Sequence, residues 1–216
     1  MVLEILFYLS LVASIVTTIV SVYNLFTAPR IRSIKNQLLH EPFISILIPA
    51  RNEEKCIENC LDDVINQTYK NYELIILDDE SIDGTAEIIA NKISEKIAEN
   101  KIRLISGKPK PDGWVGKNWA CHQLSLEANG EYFLFIDADV RLHPHVIESC
   151  IYYLDKYKLQ MITCFPTQII KSFGEWLIVP LMNFLLLAFL PLRKVYLSEK
   201  RSFIAANGQF LLITKD

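Results

Sequence analysis

The sequence predicts one α/β domain, in which a mostly parallel sheet is flanked by helices, together with a transmembrane helix at the N-terminus. Three observations support this fold class. Short apolar runs alternate with segments of helical period, polar residues cluster where the runs end, and an uncharged apolar stretch lies near the start of the chain. Such alternation is typical of βαβ units. The 216 residues suffice for one domain of this kind but not for two enzymatic domains.

Composition excludes some classes of function. The 22 basic and 25 acidic residues give a net charge of -3, which provides no field to attract nucleic acid, so we expect no nucleic-acid partner. The five cysteines lack the paired short spacings of a zinc site, and their odd number fits a disulfide framework poorly. We therefore expect reduced cysteines and a domain that faces the cytosol.

The excess of apolar residues is concentrated near the N-terminus. Hydrophobic residues make up 51% of the chain, and no charged residue occurs from Ile5 to Phe26. This stretch is long enough to cross about 30 Å of hydrocarbon, whereas a signal peptide or a buried core helix is the weaker alternative. Arg30 and Arg32 follow it and only Glu4 precedes it. The positive-inside rule therefore predicts an anchor over residues 1–28 in the cell membrane, with the domain on the cytoplasmic side.

After a connector over residues 29–42, four apolar runs predict the strands of the sheet. They are rich in Ile, Leu, Phe and Val, and most are bounded by Asn, Asp or Gly, as buried parallel strands often are. Between them, apolar residues recur at helical spacing, as at Cys60, Leu61 and Val64. The four runs are Phe43 to Ala50, Tyr72 to Asp79, Lys101 to Ser106 and Glu131 to Asp139.

A second apolar stretch runs from Trp176 to Leu192 and is interrupted by Pro180 and Pro191. It is short for a membrane crossing. We expect residues 171–194 to form membrane-associated helices that lie on the bilayer or re-enter it, with a second crossing or a buried core segment as alternatives.

Acidic residues follow three of the predicted strands. Glu53 follows the first, Asp78 and Asp79 end the second, and Asp137 and Asp139 end the fourth. Ligands of an open parallel sheet bind beyond the carboxyl ends of its strands, so we expect these residues at one edge. Carboxylates gathered there repel each other unless a cation joins them, and Mg²⁺ or Mn²⁺ suits Asp oxygens. In an extended strand the last two side chains would leave the same face and could address one metal-bound diphosphate.

Other polar residues leave alternatives open. Asp79 either begins a turn or accepts a hydrogen bond from a base such as uracil. Lys117 lies between a glycine-flanked Trp114 and a helix start, which suits either a phosphate-facing loop or a solvated lysine. Trp114 and Trp119 either pack within the domain or form the wall of a sugar site. His143 and His145 are interpreted as helix-start residues rather than metal ligands.

Together these motifs resemble glycosyltransferase family 2, an inverting family with the GT-A fold. The resemblance covers residues 43–216. Two further segments, Gly113 to Ala120 and Ala206 to Phe210, are similar to a subgroup associated with hopanoid and carotenoid lipids. The segments that carry the family resemblance are Ser45 to Glu54, Asn71 to Glu73, Leu77 to Ser81, Asp83 to Thr85 and Phe135 to Asp139.

The resemblance implies a role for each matching position. Asp79 would recognise uracil, and Asp139 would hold Mg²⁺ or Mn²⁺ on the diphosphate. Lys117 and Asp137 would contact the donor phosphates or sugar. Gly208 and Gln209 would lie on the acceptor side. The residues implied to bind the nucleotide are Pro49, Ala50, Arg51, Glu53, Asp79 and Asp137.

The resemblance also implies an activity, which is transfer of a sugar from a nucleotide-sugar donor, UDP-linked, to a lipid or lipid-linked acceptor. Residues 43–170 would form the nucleotide-sugar-binding domain, and residues 195–216 would begin an acceptor-side subdomain. In this family an acidic residue deprotonates the acceptor, usually within a Glu-Asp pair, and no such pair follows Gln209. We expect the catalytic base beyond Asp216. The alternative is a non-catalytic or fragmentary nucleotide-sugar-binding membrane protein.

Overall fold

The computed structural model describes residues 1–34, 38–95, 102–198, 200 and 205–215. The chain divides into two units. The smaller unit, Met1–Arg30 with Thr167–Ala205, contains apolar helices, and the larger unit, Ile31–Pro166 with Ala206–Asp216, contains the sheet.

Within the described residues, six strands form a single sheet in the order β3-β2-β1-β4-β6-β5. The first four along the chain run parallel, and β6 is antiparallel to both of its neighbours. The predicted α/β fold with a mostly parallel sheet is therefore confirmed. The strands are β1 (Ile44–Ala50), β2 (Tyr72–Asp78), β3 (Ile102–Ser106), β4 (Tyr132–Ile136), β5 (Met161–Thr163) and β6 (Phe210–Thr214).

Two features of the sheet differ from the sequence prediction. Strands β5 and β6 were not predicted, and β6 lies within residues 195–216. Strand β6 is inserted between β4 and β5, a pairing that local sequence does not reveal because its partners are distant along the chain. Lys101, the predicted start of the third strand, lies outside the described residues.

Seven helices occur in the described residues, and the apolar face predicted for α2 is confirmed. Its residues Ile57, Cys60, Leu61 and Val64 are buried against the sheet core. Full burial of each large apolar side chain contributes roughly 1.5–3 kcal/mol, so this face holds α2 in place beside the strand ends. The helices are α1 (Val2–Thr27), α2 (Ile57–Ile65), α3 (Thr85–Glu95), α4 (Gly116–Glu127), α5 (Val146–Tyr157), α6 (Phe173–Phe189) and α7 (Leu192–Leu197).

A buried polar network joins the amino ends of the strands. Glu73 Oε1 accepts hydrogen bonds from Ser45 Oγ at 2.6 Å and from the Asn129 amide at 2.7 Å, while Arg103 Nη2 lies 3.2 Å from Oε2. Burial acts to raise the pKa of Glu73, but these bonds lower it below its ordinary value. The Gly130 amide donates to Ser45 Oγ at 2.8 Å. The network fixes β1, β2 and β4 relative to one another.

In the smaller unit, α1 has 26 residues and is long and apolar enough to cross a membrane. Most of its apolar side chains are exposed. Helix α6 continues through Pro180, where the sequence suggested an interruption. A proline removes one helical hydrogen bond and its ring crowds the preceding turn, but this helix continues past Pro180 and ends before Leu190 and Pro191.

Asn24 fixes the turn between α6 and α7. It is fully buried, and its Nδ2 donates to the carbonyls of Leu187 and Leu190 at 2.7 Å each. Its Oδ1 accepts the Leu192 amide at 2.9 Å. The side chain thus satisfies backbone groups that the break at Pro191 leaves without helical partners.

Candidate functional site

A cleft of about 270 Å³ opens beyond the carboxyl ends of β1, β2 and β4. The sequence patterns predicted this edge, since the loops of a parallel sheet gather there. Every residue predicted to contact the nucleotide, the donor phosphates or the metal lines this one cleft. The lining residues are Pro49, Ala50, Arg51, Glu53, Asp79, Gly116, Lys117, Ala120, Asp137, Ala138 and Asp139.

The loops that follow β1 and β2 are joined by reciprocal hydrogen bonds. Asn52 and Glu80 both adopt left-handed backbone conformations, with φ of 55° and 57°. The Asn52 amide donates to Ser81 Oγ at 3.0 Å, and Asn52 Oδ1 accepts the Ile82 amide at 2.9 Å. Each loop therefore restrains the other beside the cleft.

Glu53 is placed by the same pair of loops. Its amide donates to Thr85 Oγ1 at 2.7 Å, at the start of α3. Burial raises the pKa of the Glu53 carboxyl, and the negative charges of Asp139, Asp137 and Asp83 raise it further. The carboxylates of two different strand ends are thus close enough to repel each other, and a cation in the cleft would relieve that repulsion.

Asp79 is held at the end of β2, where its amide donates to the Ala50 carbonyl at 2.8 Å. Its carboxylate is mostly buried, and Oδ2 lies 3.5 Å from Nη1 of the more exposed Arg51. Oδ1 has no hydrogen-bond partner among the described residues. One oxygen of Asp79 is therefore paired, and the other can accept a hydrogen bond from a ligand.

The acidic residues after β4 do not continue the strand. Strand β4 ends at Ile136, and the Val140 amide donates to the Asp137 carbonyl at 3.1 Å, which closes a turn. The extended-strand geometry considered from the sequence therefore does not apply to Asp137 and Asp139, because the strand ends before them. Both side chains nevertheless line the cleft. The exposed Asp139 carboxylate makes no hydrogen bond or ion pair with any residue that the structure describes.

Helix α4 places a positive group opposite this turn. Gly116 and Lys117 begin the helix and line the cleft, so the N–H groups of its first turn lie beside it. Lys117 Nζ lies 2.5 Å from Asp137 Oδ1. Of the two alternatives left open by the sequence, the structure favours the one in which Lys117 faces the ligand space.

Gly208 and Gln209 border the cleft without lining it. The Gln209 carbonyl accepts the Asp137 amide at 3.2 Å. A Cβ added to Gly208 would lie 3.9 Å from Lys117 Nζ. Asn207 Oδ1 accepts the Gln209 amide at 3.1 Å and shapes this turn. The two residues therefore flank the ion pair of Lys117 and Asp137.

The aromatic residues near α4 pack together instead of lining the cleft. The rings of Trp114 and His122 stack at 5.0 Å, and Trp119 Nε1 donates to the Lys108 carbonyl at 2.8 Å. This arrangement favours the packing interpretation of both tryptophans. His145 is the residue before α5, as the helix-start interpretation expects.

The carboxylates suit a metal that arrives with a ligand. Among the described residues, no group of three or more His, Cys, Asp or Glu side chains converges to hold an ion. Mg²⁺ at phosphate-binding sites is usually held by one or two carboxylates together with substrate phosphates. The exposed Asp139 carboxylate, facing α4 across the cleft, fits that arrangement.

Some residues of the cleft were not predicted. Three small residues, Gly116, Ala120 and Ala138, form part of its lining. Ala120 lies four residues after Gly116 on α4 and therefore on the same helix face, a spacing that the sequence shows. Ser81 and Thr85 lie in segments that carry the family resemblance, but their contacts between the loops were not predicted because their partners lie in another loop.

Comparison with known proteins agrees with this geometry. The sequence profile of the family described as glycosyl transferase family 2 matches residues 45–211. The 4,4'-diaponeurosporenoate glycosyltransferase of Staphylococcus haemolyticus is 35% identical over 109 residues, which cover 50% of this chain and 27% of that protein. The probable glycosyltransferase YdaM of Bacillus subtilis is 37% identical over 100 residues, covering 45% of this chain and 23% of that protein. The matched region is thus about a quarter of each relative.

A solved structure shares the fold. A mannosyltransferase from Pyrobaculum calidifontis, in complex with GDP-Man and Mn²⁺, superposes with a TM-score of 0.68 at 15% sequence identity. The match covers 96% of this chain and 55% of that chain. It supports the GT-A architecture expected from the sequence.

Proposed function

The chain belongs to glycosyltransferase family 2, and from this membership we propose that it transfers a sugar from a UDP-linked donor to a lipid or lipid-linked acceptor, with inversion at the anomeric carbon. The observation that carries the proposal is the convergence of three strand ends and one helix N-terminus on a single acidic cleft. Those elements supply both the carboxylates and the cationic groups that a nucleoside diphosphate requires.

The uracil base is assigned to Asp79. Its paired oxygen is held by Arg51, and its other oxygen can accept one N–H. Uracil presents a single N–H donor on the edge that would hydrogen-bond to this carboxylate. Guanine presents two adjacent N–H donors and therefore suits a carboxylate in which both oxygens are free to accept. Pro49, Ala50 and Glu53 would line the remainder of the nucleoside.

The diphosphate is assigned to the opposite side of the cleft. Lys117 and the N–H groups at the start of α4 would bind the phosphate oxygens, and Asp137 would contact the ribose or the donor sugar. Mg²⁺ or Mn²⁺ held by Asp139 would neutralise the charge that develops on the departing nucleoside diphosphate. Lys117 would exchange its bond to Asp137 for a phosphate as the donor enters.

The acceptor is assigned to the side marked by Gly208 and Gln209, next to the Lys117 and Asp137 pair. An acceptor hydroxyl attacking from there would give its proton to a general base and displace the nucleoside diphosphate in line, with inversion at the anomeric carbon. A lipid acceptor is supported by the exposed apolar helices of the smaller unit and by the relative that is named a 4,4'-diaponeurosporenoate glycosyltransferase.

Membrane attachment is assigned to α1 and α6, with the sheet on the cytoplasmic side. The chain leaves the sheet after β5 and returns to it at β6, and these strands are paired. A crossing by α6 would need a second crossing before Phe210, but the helix described in that interval, α7, has six residues. A crossing helix needs about 20. We therefore place α6 against the bilayer without a crossing, next to the last turn of α1.

A protease protection experiment tests this topology. In intact cells, external protease should leave the sheet-containing unit uncut, because α1 alone crosses and the positive residues Arg30 and Arg32 follow it. Permeabilised cells serve as the control, in which the same unit should be cut. Digestion in intact cells would contradict the cytoplasmic assignment.

A base-selectivity experiment tests the donor assignment. With Mn²⁺ present, calorimetric titration should show UDP binding about tenfold more tightly than GDP. Asp79→Ala should reduce UDP affinity about tenfold, since it removes a charge-assisted hydrogen bond to the base, and should largely abolish the preference. The exposed Asp112→Ala, outside the cleft, is the matched control and should change neither value. An unaltered preference in Asp79→Ala would show that another residue reads the base.

A further inference from the structure

Buried and exposed side chains alternate along the segment that includes and follows the acidic turn, and the buried ones fix its backbone. Ala138, Val140 and Leu142 are buried in the core, whereas Asp139 and Arg141 point outward. The outward residues therefore share one side of the segment. A contact that orients Arg141 therefore also restrains the backbone two residues after Asp139, whose carboxylate is assigned to the metal.

Asp63 of α2 holds that position through three hydrogen bonds. Arg141 Nε donates to Oδ2 at 2.6 Å and Nη2 donates to Oδ1 at 3.0 Å, which makes a bidentate pair. The Leu142 amide donates to the same Oδ2 at 2.9 Å. The hydrogen bond from Arg141 is the largest cause that keeps the pKa of the Asp63 carboxyl below its ordinary value.

Residues of the loop that follows α2 continue this contact along the segment. Gln67 Nε2 donates to the His143 carbonyl at 3.0 Å, and Thr68 Oγ1 donates to the Pro144 carbonyl at 3.0 Å. At the opposite end of the turn, the Asp137 amide donates a hydrogen bond to the Gln209 carbonyl at 3.2 Å. The backbone on each side of Asp139 is thus restrained.

Asp139 itself depends on this support. Because its carboxylate has no hydrogen-bond partner among the described residues, its direction follows from the backbone that carries it. The Arg141 side chain is more than half exposed, so solvent screening limits what its ion pair with Asp63 contributes to stability. A bidentate pair, however, adds geometric specificity, and groups that support metal ligands commonly affect metal affinity.

We propose that Asp63 and Arg141 are positioning residues that aim Asp139 at a divalent cation bound to the nucleoside diphosphate. This role rests on the donor site proposed above, and it adds that metal-dependent binding at that site requires the Asp63 and Arg141 pair. Disrupting the pair should weaken the metal-dependent part of nucleotide binding and leave the metal-independent part unchanged.

The test is calorimetric titration of the full-length protein with UDP, in Mn²⁺ and in EDTA. Asp63→Asn and Arg141→Gln should each lower the UDP affinity measured in Mn²⁺ about tenfold, which is the lower end of the usual effect of changing a residue that supports a metal ligand. Each variant should change the UDP affinity measured in EDTA less than about twofold. The double variant should lose no more than either single variant, because both changes break one contact. The matched control is Asp62→Asn, whose carboxylate pairs with Lys92 Nζ at 2.7 Å on a different contact of α2. It should bind as the native protein does.

The outcomes separate this inference from the proposed function. A native protein with equal UDP affinity in Mn²⁺ and EDTA would refute the metal site itself. A native protein that responds to Mn²⁺, with both variants responding equally well, would overturn the positioning role alone. Equal losses in Mn²⁺ and EDTA would also overturn it, because they indicate a general disturbance of the fold. Arg141 is more than half exposed, so Arg141→Gln decides the matter if Asp63→Asn does not fold.

Discussion

Replacing Asp139 by alanine should weaken UDP binding in Mn²⁺ by about 100-fold or more, the equivalent of roughly 2.8 kcal/mol, while the protein stays folded. The side chain is exposed and makes no hydrogen bond or ion pair with the described residues, so its removal costs the native fold no internal contact. The loss falls on the ligand because the proposed site assigns Asp139 to share a cation with the diphosphate.

Titration of the Asp139→Ala protein with UDP in Mn²⁺ gives the affinity, and its unfolding temperature reports the fold. Asp112→Ala, which removes an exposed carboxylate outside the cleft, should match the native protein in both measurements. Native UDP affinity in Asp139→Ala would assign the metal to another carboxylate, such as Asp137 or Asp79.

Replacing Gly130 by alanine should destabilise the larger unit by about 3 kcal/mol, at the upper end of the usual cost of overpacking. A Cβ at this position would lie 2.5 Å from the Ser45 amide nitrogen and 2.9 Å from the Ile44 carbonyl carbon. These are backbone atoms of β1, which is paired on both sides and cannot yield without loss of strand hydrogen bonds.

Thermal unfolding should show a midpoint about 10 °C lower for Gly130→Ala, the shift expected for such a change in a chain of this size. Gly116→Ala is the control, since nothing lies within 4 Å of the added methyl group. An unchanged midpoint for Gly130→Ala would mean that the amino ends of β1 and β4 can separate freely.

Most of the cleft could be predicted because its residues follow buried strands. The apolar runs ending at Ala50, Asp78 and Ile136 identify strands from their own composition, and the parallel arrangement then brings their carboxyl ends together. The sequence left two orientations open for Lys117, because only the position of α4 decides whether this side chain faces the ligand or the solvent.

The features that sequence did not reveal depend on distant partners. Strand β6 is identified by its pairing with β4 and β5 and not by its own short apolar pattern. The chain turns at Asp137 and Asp139 because the next residue, Val140, is buried in the core. The pair of Asp63 with Arg141 likewise joins α2 to a loop that local periodicity does not connect to it.

The central claim is that the cleft binds a uridine diphosphate together with a divalent cation. The most direct measurement is calorimetric titration of the native protein with UDP, first in Mn²⁺ and then after the metal is removed with EDTA. Binding should be at least about 100-fold tighter with Mn²⁺, a difference of roughly 2.8 kcal/mol. Equal affinity in the two conditions, or no binding of UDP in either, would contradict the claim.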